Sequence, residues 1–429
     1  MKLINRTISI VVLYFSIIFN LSAKEVKPQL LVYGDNIQAF AAALQSARSG
    51  VPTLWVMPSG DCCSELLGDT SNIANDNRLI GGIWMNLLQE VGSNKEKKDS
   101  LFTLIQQGLR PQMLKDAILN MIANQENLTV RKNFKVTKLT NNRKNIDVVW
   151  NDKSKTKVLA VVDATYTMDL KLFLKEQPSP VQHEVDTVYN GPIVLMRDNI
   201  LRTIVATGIS NQQICGISLR AILAKGVDNI FFTADMMDDK SINSLPFQLA
   251  VGQAVGACAA YTSFFKTTAD KVDVRKVQTE LMSFDSRLIP FADISVEDPN
   301  FNALQRIFLV NILPWDHTVF PLQFNGTDSV SIASVRPVIQ QLYSRAQLWF
   351  LDNETQFFKT KDLIELIKVV AFRGDELDEE IEKAWTKRFK LSGTFSPSHT
   401  LSRYEFAVLM DAYAEPFAKR VNLQGVILR

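Results

Sequence analysis

The chain reads as an α/β protein: a parallel sheet flanked by helices, followed by a helical segment. Three observations carry this. The stretch Leu30–Val56 (LLVYGDNIQAFAAALQSARSGVPTLWV) runs as apolar strand, tight turn, helix, turn and second strand. Further short apolar runs, among them VVDAT and NIFFTAD, recur along the chain with helical patterns between them. Its 429 residues, 46% hydrophobic and 21% charged, hold ample apolar material for a core.

Residues 1–23 stand apart. Lys2 and Arg6 precede the apolar run Ile8–Phe19, and the small residues of Leu21-Ser22-Ala23 close it. This is the pattern of a cleaved secretory signal, so the mature chain is expected to begin at Lys24 and to be secreted or periplasmic. The run falls short of the roughly 20 residues that span a bilayer. No Cys follows it to take a lipid. A net charge of +2 without a long basic run argues against a nucleic-acid partner, which needs clustered Lys and Arg.

Leu30–Tyr33 is the first strand, Ala39–Ser49 a helix stopped by Gly50, and Thr53–Val56 the second strand. A β-α-β unit of this kind requires parallel strands and a right-handed crossover. Arg110–Asn124 is an amphipathic helix. Strands are expected at Val130–Thr137, at NIDVVWN, at Val158–Thr165, between Asp186 and Ile214, and at Asn229–Asp235. The run FQLAVGQAVGACAAYTSFF then forms a helix with Gly252 and Gly256 four apart on one face. From about Pro299 the pattern changes to helices and loops. Ser402 and Glu405 form a capping box there, ahead of Phe406, Leu409 and Met410 on one helix face. The expected division is an α/β domain over residues 24–298, with a short β insertion at about 170–220, and a helical module over 299–429.

Four cysteines are too few for a disulfide scaffold. Cys258 sits in an Ala/Gly-rich helix as a small apolar residue, and adjacent Cys62-Cys63 read as small turn residues rather than a redox pair. His183, His317 and His399 lack zinc-ligand spacing.

The turn GDNIQA is where the chemistry concentrates. In dinucleotide-binding proteins a pyrophosphate rests on the helix N-terminus, where free N–H groups and the helix dipole favour negative charge. The G-x-G-x-x-G glycines make the turn, admit the phosphate, and let helix approach strand. Gly34 fills the first position, Asn36 replaces the second, and Ala39 fills the third. Met57 stands where an acid would hold the ribose. A buried β-α-β unit without a ligand accounts for this motif equally well.

Four segments, in order, resemble the FAD-dependent oxidoreductases of the glutathione-reductase-like fold, in particular a bacterial exported subfamily. They are YGDNIQAFAAALQSARSG, RPQMLKDAILNMIANQENLTVRKNFKVTKL, VVDATYTMDL, and LRAILAKGVDNIFFTAD with LAVGQAVGACAA, and the likeness covers roughly residues 28–285. The resemblance implies a Rossmann-like FAD/NAD(P)-binding domain. It implies Gly34, Asn36 and Ala39 at the pyrophosphate, the Val136 backbone at the adenine, and Asp235 accepting from a ribityl hydroxyl. Gly252, Gln253 and Gly256 would then lie at a second helix N-terminus facing the flavin, with Arg220 lining the flavin-side cavity. Helix packing is the alternative reading for the glycines, a turn cap for Asp235, and a surface ion pair for Arg220.

The departures are the missing second glycine and ribose acid, DCCSE in place of a glycine pair beside the flavin, and Ala234 in place of a glycine. Little chain remains between Leu170 and Arg220 for a substrate-covering domain. The segment FSPSHTLSRYEFAVLMDAY resembles a single surface-layer-homology-type helix start. The functional expectation is an exported FAD-dependent oxidoreductase acting on a small organic substrate. The alternative is a non-catalytic relative, a pseudoenzyme serving as an exported binding or assembly protein. An NAD-dependent dehydrogenase fits poorly without the ribose acid. No catalytic base stands out; Asp316 and His317 of the WDH stretch are better read as loop hydrogen-bonding residues than as an acid–base pair.

Overall fold

The computed structural model describes residues 27–67, 77–92, 101, 103–105, 108–142, 144–174, 179–180, 188–210, 213–234, 245–316, 321–353 and 355–428. The expected signal segment, Asp235, His183 and His317 lie outside the described residues.

Five strands form the central sheet: β1 (Leu30–Tyr33), β2 (Thr53–Met57), β3 (Leu128–Lys132), β7 (Ala160–Asp163) and β13 (Ile230–Phe232). All neighbours are parallel, in the order β13-β7-β1-β2-β3. β1 is the centre strand, with Leu30 opposite both Thr53 and Ala160. Its four residues are all buried, as a strand covered on both faces requires. The fold is therefore α/β and Rossmann-like, as the sequence implied. β4 (Val136–Asn142), β5 (Asn145–Trp150) and β6 (Lys155–Val158) make an antiparallel meander. Further antiparallel pairing joins β9 (Asn190–Pro192), β10 (Ile204–Ser210) and β11 (Gln213–Ser218), and a short pair joins β8 (Ser179–Pro180) to β12 (Ala224–Lys225).

Two expected strands divide. Val130–Thr137 breaks where Asn133 takes a left-handed φ of 63°, which sends β3 into the parallel sheet and β4 into the meander. Val158–Thr165 divides at Leu159, between β6 and β7. Both breaks exchange one sheet for another, which an unbroken apolar run does not reveal.

The main helices are α1 (Ile37–Arg48), α2 (Gly82–Val91), α3 (Pro111–Ala123), α4 (Leu245–Phe265), α5 (Val274–Ser283), α6 (Phe301–Val310), α7 (Ile332–Leu342), α8 (Ala346–Asp352), α9 (Thr360–Ala371), α10 (Glu376–Lys387) and α11 (Arg403–Tyr413). α1 and α4 pack backbone to backbone. A Cβ on Gly252 would stand 2.4 Å from the Gln38 carbonyl oxygen, and one on Gly256 2.5 Å from that of Ala42. No described helix is long and apolar enough to cross a membrane.

The helix start at Ser402 is not single. Three short extended segments, centred on Val330, Phe358 and Leu401, each lead into a helix: α7, α9 and α11. They close on one another in a ring. Val330 N–H donates to the Leu401 carbonyl, Leu401 to Phe358, and Phe358 to Val330, at 3.3, 2.9 and 3.0 Å. A second ring repeats two residues outward: Ile332 to Gln356, Thr360 to His399, and Arg403 to Asp328, at 3.1, 2.9 and 2.7 Å. The matched helix positions Val335, Leu363 and Phe406 are fully buried. The capping box at Ser402 forms as expected, with Ser402 Oγ accepting from Glu405 N–H and Glu405 reaching back to the Ser402 N–H at 2.8 Å. Asp362 makes the same return bond to the Lys359 N–H at 2.9 Å. This segment is a closed threefold of strand–helix units.

Candidate functional site

The β1–α1 turn is built tightly against the end of β7. Gly34 has a φ of 146°, and a Cβ there would meet the Ala164 carbonyl at 2.9 Å, so only glycine fits without strain. Asn36 caps α1. Its Oδ1 accepts from the Ala39 N–H at 2.9 Å, and its amide donates to the Ala164 carbonyl at 2.5 Å. The side chain replacing the second glycine thus pins the turn to the strand beside it. Ala39, in the first turn of α1, is fully buried.

The carboxylate of Glu65 completes the turn. Its Oε1 accepts from the Ile37 N–H, the first helical amide of α1, at 2.6 Å. A helix N-terminus is the place where an anion is stabilised by unpaired N–H groups and the dipole. Here the chain supplies that anion itself. Burial pushes the Glu65 carboxyl up, and this outweighs the lowering by the N–H groups it accepts. The segment leading to Glu65 is anchored at three points. The Cys63 N–H donates to the Asp35 carbonyl at 2.5 Å, the Ser59 N–H to Asp35 Oδ2 at 3.1 Å, and Lys115 Nζ to Asp61 Oδ2 at 2.7 Å. Cys62 and Cys63 are both free and buried, with their Sγ atoms 3.1 Å apart. Burial, reinforced by the contact with Cys62, pushes the Cys63 thiol up.

At the adenine position Val136 begins β4, and the Tyr33 hydroxyl hydrogen-bonds its backbone. Burial pushes the Tyr33 phenol up to about 12 against the lowering by that bond. Met57, at the ribose position, is 1% exposed and offers no acceptor on its side chain. The strand end VVDAT is held by buried Asp163. Its Oδ1 accepts from both Thr165 N–H and Oγ–H, at 3.0 and 2.6 Å, and its Oδ2 from Leu170 N–H at 2.8 Å. Burial pushes its carboxyl up to about 6, against the lowering by these bonds.

Gly252, Gln253 and Gly256 do not lie at a helix N-terminus. They sit inside α4, which begins at Leu245, and they face α1. Gln253 ties three helices together: its Oε1 accepts from the Ile83 N–H at 3.2 Å, and its Nε2 donates to Gln45 Oε1 at 2.9 Å. The packing reading is the one the geometry bears out for the glycines. Arg220 lies half-buried in the short helix Leu219–Ile222 that follows β11, with its Nε buried and without a hydrogen-bond partner among the described residues. Asp316 is exposed. Of the expected cofactor residues, the structure brings together Gly34, Asn36 and Ala39 at one turn, with Val136 one strand-end away across Tyr33.

With these contacts made, the described residues do not fit a pyrophosphate at α1. Glu65 takes the Ile37 N–H, Asn36 takes that of Ala39, and the Val136 backbone is met by Tyr33. Of these, Glu65 is the carboxylate that sits directly on a helical N–H of α1, with Asp35 adding negative charge beside it. Sequence reasoning missed Glu65 and Tyr33. The usable signal was DCCSE itself, an acid placed where the expected glycines would leave room for a ligand.

No protein-family model matches the chain, and no curated protein matches it. Part of it is similar to solved structures. These include the tetracycline destructase Tet(51), at 13% identity and a TM-score of 0.26 over 37% of this chain and 44% of that one. OTEMO, solved with FAD and NADP, matches at 11% identity and a TM-score of 0.22 over 32% of this chain and 25% of that one. The bacillithiol disulfide reductase Bdr (YpdA) from Staphylococcus aureus matches at 14% identity and a TM-score of 0.23 over 32% and 38%. The chain spans less than half the length of each of these three structures.

Proposed function

We propose that this chain is an exported member of the FAD-dependent oxidoreductase superfamily that admits FAD only when Glu65 leaves the N-terminus of α1. The observation that supports this reading is the Glu65 carboxylate on the Ile37 N–H, 2.6 Å away. A carboxylate there occupies a phosphate's place, which means that the helix end has kept its preference for an anion. Gly34 under Ala164, Ala39 against the sheet and the Asp163-ordered strand end retain the shape that a pyrophosphate turn requires. Bound FAD would supply hydride transfer. The chain's residues would orient it: Ile37 at the phosphates, Val136 at the adenine once Tyr33 yields, and Asp235 at the ribityl chain. The substrate in this reading is a small organic molecule.

A second reading is a non-catalytic relative, an exported binding or assembly protein. It is favoured by the Asn36–Ala164 and Tyr33–Val136 contacts, which do not depend on Glu65. FAD titration of the wild type, Glu65→Ala and Glu65→Ala/Asn36→Gly separates the two. Removing the competing charge-assisted hydrogen bond, worth about 1.5–3 kcal/mol, should tighten FAD binding roughly ten- to a hundredfold. If none of the three binds FAD, the second reading holds. Export is checked by N-terminal sequencing of the mature chain, which should start at Lys24.

A further inference from the structure

A cavity of about 870 Å³ opens at the other end of α1, between the C-terminal half of α4, the face of α5, and the end of α11. Ser49, the C-cap of α1, lines it, whereas the Glu65 contact is at the first residue of the same helix. At 1.5 Å of rise per residue the two sites are roughly 18 Å apart. The volume lies in the range of small-molecule clefts, which are mostly apolar with a few placed polar groups.

One wall is aromatic. Tyr261 and Phe265 of α4 lie 4.6 Å apart centroid to centroid, and Phe264 meets Phe265 edge-on at 5.1 Å. Phe264 is 63% exposed and Phe265 51%, at the end of a helix that is otherwise largely buried. Leaving two such rings in water is costly unless something covers them.

The polar groups around the cavity are mostly committed. Arg306 makes a two-pronged bond to Asp411, with Nε–Oδ1 at 2.8 Å and Nη2–Oδ2 at 2.5 Å. Glu280 accepts from Ser49 Oγ at 2.8 Å, and Asp273 pairs with Arg420 at 3.5 Å. Buried Arg275 lies over Phe417 and donates to the Arg202 carbonyl and Gln278. Lys276 differs. Its ammonium lies 5.0 Å over the Phe265 ring and makes no ion pair with a carboxylate among the described residues. A cation at the lip of an aromatic wall complements a molecule with an apolar planar body and one anionic head; since Glu280 and Glu415 also line the cavity as carboxylates, that head belongs at Lys276.

We infer that this cavity is a binding site for small aromatic carboxylates, separate from the dinucleotide turn. The rings of Tyr261, Phe264 and Phe265 take the flat body, and Lys276 takes the carboxylate at the mouth.

The test uses the full chain and two probes of one shape: 2-naphthoate, which carries the charge, and 2-naphthol, which does not. Saturable binding of naphthoate is expected by calorimetry, with naphthol weaker. Lys276→Gln should weaken naphthoate by about two- to fivefold, the range of a partly solvated ion pair, and leave naphthol unchanged. Thr279→Trp places bulk into the cavity from an exposed position on α5 and should abolish both. Ser283→Trp, also exposed and lining the cavity, should do the same if Thr279→Trp fails to fold. Glu65→Ala should leave naphthoate binding unaltered. The inference is overturned if the wild type shows no saturable naphthoate binding. It also falls if both folded tryptophan variants bind as the wild type does, or if Lys276→Gln weakens both probes equally.

Discussion

Replacing Gly252 by Ala tests whether the α1–α4 contact or a cofactor accounts for this glycine. The added methyl carbon would lie 2.4 Å from the Gln38 carbonyl oxygen and 2.8 Å from the Ala41 Cβ. Ordinary contact begins near 3.4 Å, so α1 must retreat by about 1 Å along its length. The obstruction is backbone, which has no rotamer to yield. Overpacking of this kind costs about 1–3 kcal/mol, and here the upper end applies. Against it, Ala gains about 1 kcal/mol over Gly in a helix interior. The net expectation is a loss of about 2 kcal/mol, with or without FAD. Gly256→Ala meets the Ala42 carbonyl at 2.5 Å and should behave alike. Because a single retreat of α1 makes room for both methyls, the double variant should lose less than the sum of the two. Urea unfolding followed by circular dichroism reads this as a lowered midpoint with an unchanged slope. If Gly252→Ala is as stable as the wild type, α1 and α4 do not touch there, and the glycine's role reverts to a ligand.

Two further outcomes follow from buried groups. Asp163 has its folded pKa raised to about 6 from 3.8, so the folded chain holds that proton more tightly than the unfolded one. The associated stability is present below about pH 4 and is lost as pH rises through about 6. At about 1.4 kcal/mol per pKa unit it amounts to roughly 3 kcal/mol. Asp163→Asn should flatten the fall of the urea midpoint between pH 4 and 7, and an unchanged slope would contradict the assignment. Cys62 and Cys63 are buried behind the Glu65 segment, so an alkylating reagent should spare them in the native chain and label them in urea. Rapid native labelling by mass spectrometry would mean that the segment does not close on α1.

The parallel sheet was legible because β1, β2, β7 and β13 are short, unbroken apolar runs that only a doubly covered sheet can bury. Leu30–Tyr33 and Ile230–Phe232 indeed share it. The breaks at Asn133 and Leu159 were not legible, because the chain leaves one sheet for another without changing its apolar character. The turn was legible by position, but the side chains that fill it were not. GDNIQA marked the turn, but Asn36 and Glu65 fill it through side-chain contacts with Ala164 and Ile37 that are remote in sequence. Gly252 and Gly256 were visible as a spacing. That spacing serves a ligand turn and a close helix crossing alike, and only the carbonyls of Gln38 and Ala42 decide between them.

The two hydrogen-bonded rings near the C-terminus impose an order of events during synthesis. Val330 finds one partner at Phe358, but its own N–H waits for the Leu401 carbonyl, and the Asp328 carbonyl waits for Arg403. A nascent chain halted before residue 400 therefore holds two strand–helix units with exposed amides and an uncovered apolar face. Closing the loop late adds a chain-entropy cost that only the last unit can offset. Emergence of the final thirty or so residues is then a checkpoint for the whole segment: a ribosome-stalled or C-terminally clipped product should be protease-sensitive back to about residue 325, while the parallel sheet upstream stays protected.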